Sequence, residues 1–522
     1  MYRFLGFIIL LIFMTGHLAA QVFPKEGSVL NYRIIGFSFP TFKKSTKYEI
    51  QIAAGYCNNV DSFEKKVIQT FYSASSKVIE TVPAFGAQYT WRVTGTSKKS
   101  APVQSSLFHF STGRLPAVNV SAMRLRITNE AKKYKDAFVI VDDVNVMYNM
   151  QGDPVWYMPV MKQPDSTILS TRDVKLSPQG TITFVANNSI CEVNYDGKIL
   201  WQCPQKGIAK RKNATGYHHQ CTRLQNGHFM ALITLPQPSA NNYRQYNATD
   251  NYSPQQIASL GAIAEYDSTG KEVWSWESFN YFKNIHPQQL QSWFNDDNKQ
   301  VRNTMDVHLN AFYFDEKAGV IYLSFRNVNT IVKVKYPEGD VLAVYGSHSQ
   351  KNGGSLQKDL FCGQHSCNIS MDGDLYLFNN NSCNPASPPS VLKIRLPATG
   401  NDTLEKTWEF PCSFSEKDSV GETYSTFPAG TDAAQNKNKV FFTTKFTSGG
   451  NVFELPDRSI FISISGNSGR ALIVSPHQSI LWSAVSERYA AATKKWIPND
   501  PYRMSIIPSR KDLEQLIWNA EK

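Results

Sequence analysis

The sequence predicts an all-β protein: an N-terminal immunoglobulin- or fibronectin-III-like sandwich followed by a six-bladed β-propeller. Three observations predict it. Short strands of alternating polarity fill residues 22–115. A strand–turn–strand unit ending in Trp recurs through the rest of the chain. The composition agrees, with 12% aromatic residues, 19% charged residues, and 26 Pro and 30 Gly to end strands and form turns. A chain of 522 residues is more than one hydrophobic core usually spans, so two domains or a repeat architecture is expected. Hydrophobic residues at 42% exclude a mainly disordered chain.

The first element is a leader. MYRFLGFIILLIFMTGHLAAQ carries Arg3, an apolar run over residues 5–14, and Ala19-Ala20 ahead of Gln21. These are the parts of a secretory signal peptide covering 1–20. The run is short for a membrane span and His17 interrupts it. With no long apolar segment elsewhere, no membrane span is expected, and the mature chain is expected to be periplasmic or secreted. An oxidising compartment permits disulfides among the 8 cysteines. Cys191 and Cys203 flank the Asp196-Gly197 turn and are candidates to bridge a hairpin. Cys362, Cys367 and Cys383 crowd one region, where one bridge is expected. The chain has no CxxC pair, which leaves little support for a zinc ribbon or thioredoxin-like site.

The second element is the sandwich, residues 21–115. YEIQIA (48–53), YTWRVTG (89–95) and FHFSTG (108–113) read as its strands. Nothing catalytic shows in it. A spacer, a docking surface or a homodimer contact is its expected role.

The third element, 116–522, is the propeller. VMYNMQGDPVW (146–156), EVNYDGKILW (192–201) and AEYDSTGKEVW (264–274) each place Trp four residues after the turn Gly. Looser copies run 334–345, 393–408 and 473–482. A lone hairpin buries little, so six such units are expected to stack radially. Trp156, Trp201 and Trp274 read as core between blades. A second repeat precedes most hairpins: RDVKLSPQG (172–180), HQCTRLQNG (219–227), HLNAFYFDEKAG (308–319), HSCNISMDG (365–373) and GNVFELPDR (450–458). These read as inner strands. The residues that open them, Arg172, His219, His308, His365 and Gly450, are expected to converge on one axial site.

Arg326 ends the strand YLSFR, so a hairpin should return it to His308. Asn310 lies two residues past His308 and is placed on the same face. His218 is placed on the opposite face from His219, and either could look into the channel. Tyr217 could contact substrate or pack. A lone buried histidine is usually a satisfied core residue, and His228 reads that way. A set aligned across repeats reads differently. Several imidazoles and a guanidinium suit either a metal or a tetrahedral oxyanion. Asp306 stays open as a carboxylate partner for a metal. In the oxyanion reading one neutral histidine could act as nucleophile. The net charge of +11 suits anionic ligands. KGIAKRK at 206–212 is the most basic stretch, and no nucleic-acid motif surrounds it.

At these residues the chain resembles the bacterial aryl-sulfate sulfotransferase family. The resemblance rests on MDVHLNAFYFDEKAGVIYLSFRNVNTIVKV (305–334), GQHSCNISMDGDLYLFNN (363–380) and YHHQCTRLQNGHFMAL (217–232), in that family's order, and it covers roughly 116–490. It implies transfer of a sulfuryl group from a phenolic sulfate ester to a phenol acceptor, with no cofactor. It implies that His365 carries the group as a sulfohistidine in a ping-pong cycle, while His219, His308 and Arg326 hold its oxygens and Asn310 assists. Where the family often has acidic residues after its first and its nucleophilic histidines, this chain has Gln220 and Ser366. Arg172 is an additional anion contact suggested by the repeats alone. Two other readings use the same residues: a metal-dependent hydrolase, and a non-catalytic propeller that binds anionic ligands.

Overall fold

The structure is a computed structural model. It describes residues 22–98, 101–116, 123–162, 168, 170–186, 189–204, 216–235, 261–282, 285, 307–346, 360–383, 387–397, 404–413, 415–417, 423–425, 449–465, 469–492 and 494–519. The leader at 1–20, the basic stretch 206–212 and Asp306 lie outside them. The described chain is all-β apart from short helices such as Val60–Glu64 and Arg510–Asn519. It divides into two compact units, Met1–Leu115 and Pro116–Lys522.

The first unit holds a six-stranded sheet and a two-stranded one. Lys47–Ala54, Gln88–Thr96 and Phe108–Thr112, the three strands expected from alternation, all lie in the larger sheet. Ile34–Ser38 pairs with Lys77–Thr81 in the smaller. Phe37 of the smaller sheet meets Trp91 of the larger edge-on, with ring centres 5.0 Å apart, and both are fully buried. Such aromatic packing between two sheets is what the alternating pattern demands.

The second unit contains six larger sheets among its described residues, five of four strands and a last one of six. Within each, strands run antiparallel. The six Gly-or-Pro-turn hairpins read from the sequence supply the outer two strands of the first five sheets and a pair within the sixth. The inner strands are Thr171–Leu176, Gly216–Arg223, Leu309–Asp315, His365–Ile369 and Asn451–Glu454 in the second to sixth sheets. The first sheet takes its inner strand, Met504–Ile507, from the far end of the chain, paired with Phe138–Val141. Conversely, Met123–Asn129 joins Ile480–Ala490 of the last sheet. Each sheet touches the next through its inner strands, and the sixth touches the first.

The cores lie between neighbouring sheets rather than in one centre. Leu232 and Ile263 of the third sheet pack with Leu323 and Val332 of the fourth. Val139 and Val141 of the first pack with Phe461 and Ile473 of the sixth. The recurrent Trp explains the spacing. Trp156 donates its indole N–H to Tyr195 O in the hairpin turn of the next sheet at 2.7 Å. Trp201 to Ser268 O, Trp274 to Pro337 O and Trp408 to Pro476 O repeat the contact at 3.0, 2.7 and 2.8 Å. Trp482 closes the cycle on Met150 O at 3.0 Å. The turn Gly lets chains approach closely: a Cβ on Gly152, at φ +89°, would lie 2.3 Å from Leu125 O. Because Trp482 is fully buried, Trp482→Phe strands that carbonyl and should cost about 1–3 kcal/mol in denaturant unfolding. The same change at the partly exposed Trp408, whose carbonyl partner water can reach, should cost less than half as much.

The proposed Cys191–Cys203 bridge is corrected. Cys191 stands opposite Gln202, and Cys203 opposite Ile190, so the two thiols point to opposite faces of the sheet. Both are free and buried. The crowded region does hold a disulfide, Cys362–Cys383.

Candidate active site

The inner strands of the second to sixth sheets open with the same distortion. Asp173, His219, His308 and Ser366 hold left-handed backbones at φ +57°, +59°, +55° and +56° in the second to fifth sheets, and Gly450 sits at +116° ahead of the inner strand of the sixth. For L-residues each costs about 1–2 kcal/mol. Strain of this kind clusters where a site over-determines it. The distortion also breaks the strand's two-residue alternation, and the register slips between His218 and Cys221, Leu309 and Ala311, and His365 and Cys367. Two expectations change as a result. His218 and His219 do not take opposite faces; their Nδ1 atoms lie 2.6 Å apart and share a hydrogen bond. The repeat alignment is offset by one: His219 and His308 occupy the left-handed position itself, whereas Arg172 and His365 precede it.

His365 is buried, and its Nδ1 lies 2.8 Å from Asn380 Oδ1. Asn380 Nδ2 donates to Gly449 O at 3.0 Å, which orients the amide and leaves its oxygen facing the imidazole. His365 Nδ1 therefore carries the proton, and Nε2 keeps its lone pair. Burial, reinforced by Arg326, His308 and Arg503, holds the His365 pKa well below the ordinary histidine value, despite the opposing Asn380 bond. His219 is lowered in the same way, by burial and then by His218, His308, His365 and Arg503. Its ring centre is 5.0 Å from that of His308. Arg326 returns to His308 as expected: its N–H donates to His308 O at 2.9 Å, just past the strand Val320–Phe325. The hairpin thus brings Arg326 to His308, and its guanidinium is among the charges that keep the buried His365 imidazole neutral.

Asn310 is placed differently from its expectation. It is the extra residue of the Leu309/Ala311 bulge, fully buried, and its amide donates to Gln364 O at 2.8 Å. It braces the backbone next to His365. Gln364 in turn donates to Phe325 O at 3.1 Å, locking the fifth inner strand to the end of the fourth sheet. Tyr217 packs: its ring meets Tyr266 edge-on, and its hydroxyl lies 3.2 Å from Cys203 Sγ. The Cys362–Cys383 bridge ties the segment ahead of His365 to the turn that carries Asn380.

Arg172 is exposed, with its guanidinium carbon 5.3 Å from the ring centre of Tyr502. Tyr502 and its neighbour Arg503 are site residues that the sequence reading missed. They open the inner strand of the first sheet, and that strand comes from the C-terminus, so the repeats around residues 146–156 gave no sign of it. Arg503 pairs with Asp173 at 2.9 Å, both side chains 4% exposed. Its other amino group reaches Asn310 O at 3.4 Å. Gln220 accepts from Arg503 at 3.3 Å and donates to Phe312 O at 2.8 Å. Asp142 receives the backbone N–H groups of Arg503 and Asp173 at 3.0 and 3.2 Å. Burial and Asp143 push its carboxyl well above the usual range. Among the described residues no group of three or more His, Cys, Asp or Glu is arranged to hold a metal ion.

Fold and site define an all-β protein of successive antiparallel sheets whose inner ends gather histidines and arginines into one partly buried cluster, with His365 and Arg503 fully within it. The family model described as Arylsulfotransferase (ASST) matches residues 112–453, and the chain belongs to that family. Membership implies a sulfotransferase with phenolic substrates. No curated protein matches the chain. Among solved structures, a protein of unknown function from Bacteroides caccae is similar at 11% identity and TM-score 0.37, covering 74% of this chain and 99% of that one. A chain of a nidogen/laminin complex is similar at 8% identity and TM-score 0.34, covering 74% and 100%. No helix among the described residues is long and apolar enough to cross a membrane.

Proposed function

We propose that the protein moves a sulfuryl group from a phenolic sulfate ester to a phenol by a ping-pong cycle through His365, without a nucleotide sulfate donor. The observation that carries this is the tautomer of His365: Asn380 holds the Nδ1 proton, which leaves a nucleophilic lone pair on Nε2 beside Arg326. The Nε2 lone pair forms a bond to sulfur as the aryl oxygen departs with the S–O electron pair. The acceptor oxygen then reverses the step. His219, His308 and Arg326 hold the sulfuryl oxygens through a loose transition state, where positioning and charge stabilisation supply most of the rate. Asn310 supports this set from behind, through Gln364. Arg172 is proposed to draw the anionic ester inward.

In this reading, the six cyclically packed sheets form a six-bladed propeller over 116–522, preceded by an immunoglobulin- or fibronectin-III-like sandwich over 21–115. The leader over 1–20 directs the chain to a periplasm or outside the cell. A homodimer contact through the N-terminal domain belongs to the same proposal.

The test is incubation with 4-nitrophenyl sulfate, with and without added phenol. Nitrophenol release that needs the phenol supports a transferase. Release in water alone favours a sulfatase, and loss of activity in strong chelator favours the metal-dependent hydrolase. The pH profile gives a second check. The nucleophile must be neutral, and its folded-state pKa is depressed. Donor kcat/KM should therefore stay level as pH falls through about 6.5, where an ordinary histidine is half charged, and decline only below it. An acid midpoint at or above that value contradicts the assignment of His365.

A further inference from the structure

We propose that the Tyr502 hydroxyl donates a hydrogen bond to the phenolic oxygen of the substrate as its bond to sulfur breaks; this rests on the sulfuryl-transfer reading. The Tyr502 ring centre lies 5.8 Å from that of His219 and 6.3 Å from that of His365. Guanidinium carbons of Arg172 and Arg503 approach the same ring to 5.3 and 5.2 Å. Tyr502 is 9% exposed, yet its Oη has no hydrogen-bond partner among the described residues. A buried hydroxyl left unmade costs about 1–3 kcal/mol, so it calls for an acceptor. The neighbouring carboxylate of Asp173 is already held by Arg503, Lys175 and the Cys221 N–H.

A sulfate ester brings four oxygens. Three are non-bridging and have donors in His219, His308 and Arg326. The fourth is the phenolic oxygen, which gains charge as the loose transition state forms. Tyr502 is a neutral donor, and burial raises its pKa, so it keeps its proton throughout. A phenol donating to a departing phenolate is a charge-assisted bond of the strong class. The bookkeeping is simple: N–S forms at His365 Nε2, S–O breaks, and the electron pair stays on the aryl oxygen. Tyr502 retains its proton while bonded to that oxygen, and the phenolate is protonated by water on release.

The experiment compares 4-nitrophenyl sulfate with phenyl sulfate, whose leaving group is the more basic, in the full-length enzyme and in Tyr502→Phe. The variant should lose about 10-fold in kcat/KM on the nitrophenyl ester and about 100-fold or more on the phenyl ester. Equal losses, or none, overturn the assignment. Because Tyr502→Phe could disturb packing, 3-fluorotyrosine at position 502 provides an isosteric check. Its more acidic hydroxyl should make log kcat/KM less steep against leaving-group pKa, and an unchanged slope overturns the assignment. If the unaltered enzyme turns over neither ester, the sulfuryl-transfer reading falls and takes this inference with it. Normal turnover with unaltered leaving-group sensitivity removes the Tyr502 inference alone.

Discussion

His365→Asn should lower sulfuryl transfer about a million-fold, the scale of loss when a covalent nucleophile is removed. The change keeps a polar side chain of similar reach, so the amide can still meet Asn380, and the bracing by Gln364 and the disulfide is untouched. What disappears is the lone pair on Nε2, for which no rotamer of Asn substitutes. The remaining donors can still bind the ester, so donor affinity should change far less than turnover. Single-turnover release of 4-nitrophenol, together with mass measurement of the trapped protein, separates the two effects. The unaltered chain should gain one sulfuryl group and the variant none. A variant that still gains the group, or keeps more than about a hundredth of the rate, places the nucleophile elsewhere.

Arg503→Met should destabilise the fold by about 3–5 kcal/mol, because it leaves Asp173 buried beside Asp142 with one cation fewer. Lys175 still reaches Asp173 at 2.6 Å, which sets the lower end of that range. Adding Asp173→Asn removes the uncompensated charge and should restore part of the loss, a non-additivity read from denaturant unfolding of the single and double variants. Equal costs that simply add would show that the pair is not coupled. The same change has a kinetic signature. Arg503 is among the cationic neighbours that depress both His219 and His365. Without it, the acid limb of kcat/KM should move towards the ordinary histidine value. A stability loss with an unmoved acid limb would confine Arg503 to a structural role.

Parts of this organisation were legible in the residues. The Gly-to-Trp spacing marked the outer hairpins because each Trp must reach one carbonyl of the next turn, a local distance repeated at Trp156, Trp201 and Trp274. The return of Arg326 to His308 followed from one hairpin. Asn310 and His218 were placed by assuming regular alternation, which the left-handed residues at 219 and 308 interrupt. Cysteine spacing put a bridge near Cys362, but it could not choose Cys383 over Cys367. Nor could it see that Cys191 and Cys203 face apart.

The residues by themselves determined an all-β chain, the outer hairpins, and the return of Arg326 to His308, since each follows from short-range periodicity or one turn. Only the tertiary structure decided that Asn380 bonds His365 Nδ1, that Arg503 and Asp173 pair, and that the Tyr502 ring lies close to both His219 and His365. Those contacts join strands hundreds of residues apart: the first sheet is completed by Met504–Ile507 and the last by Met123–Asn129. Closure of that kind is driven by burying sheet faces against one another, and no local pattern records which distant strand will do it.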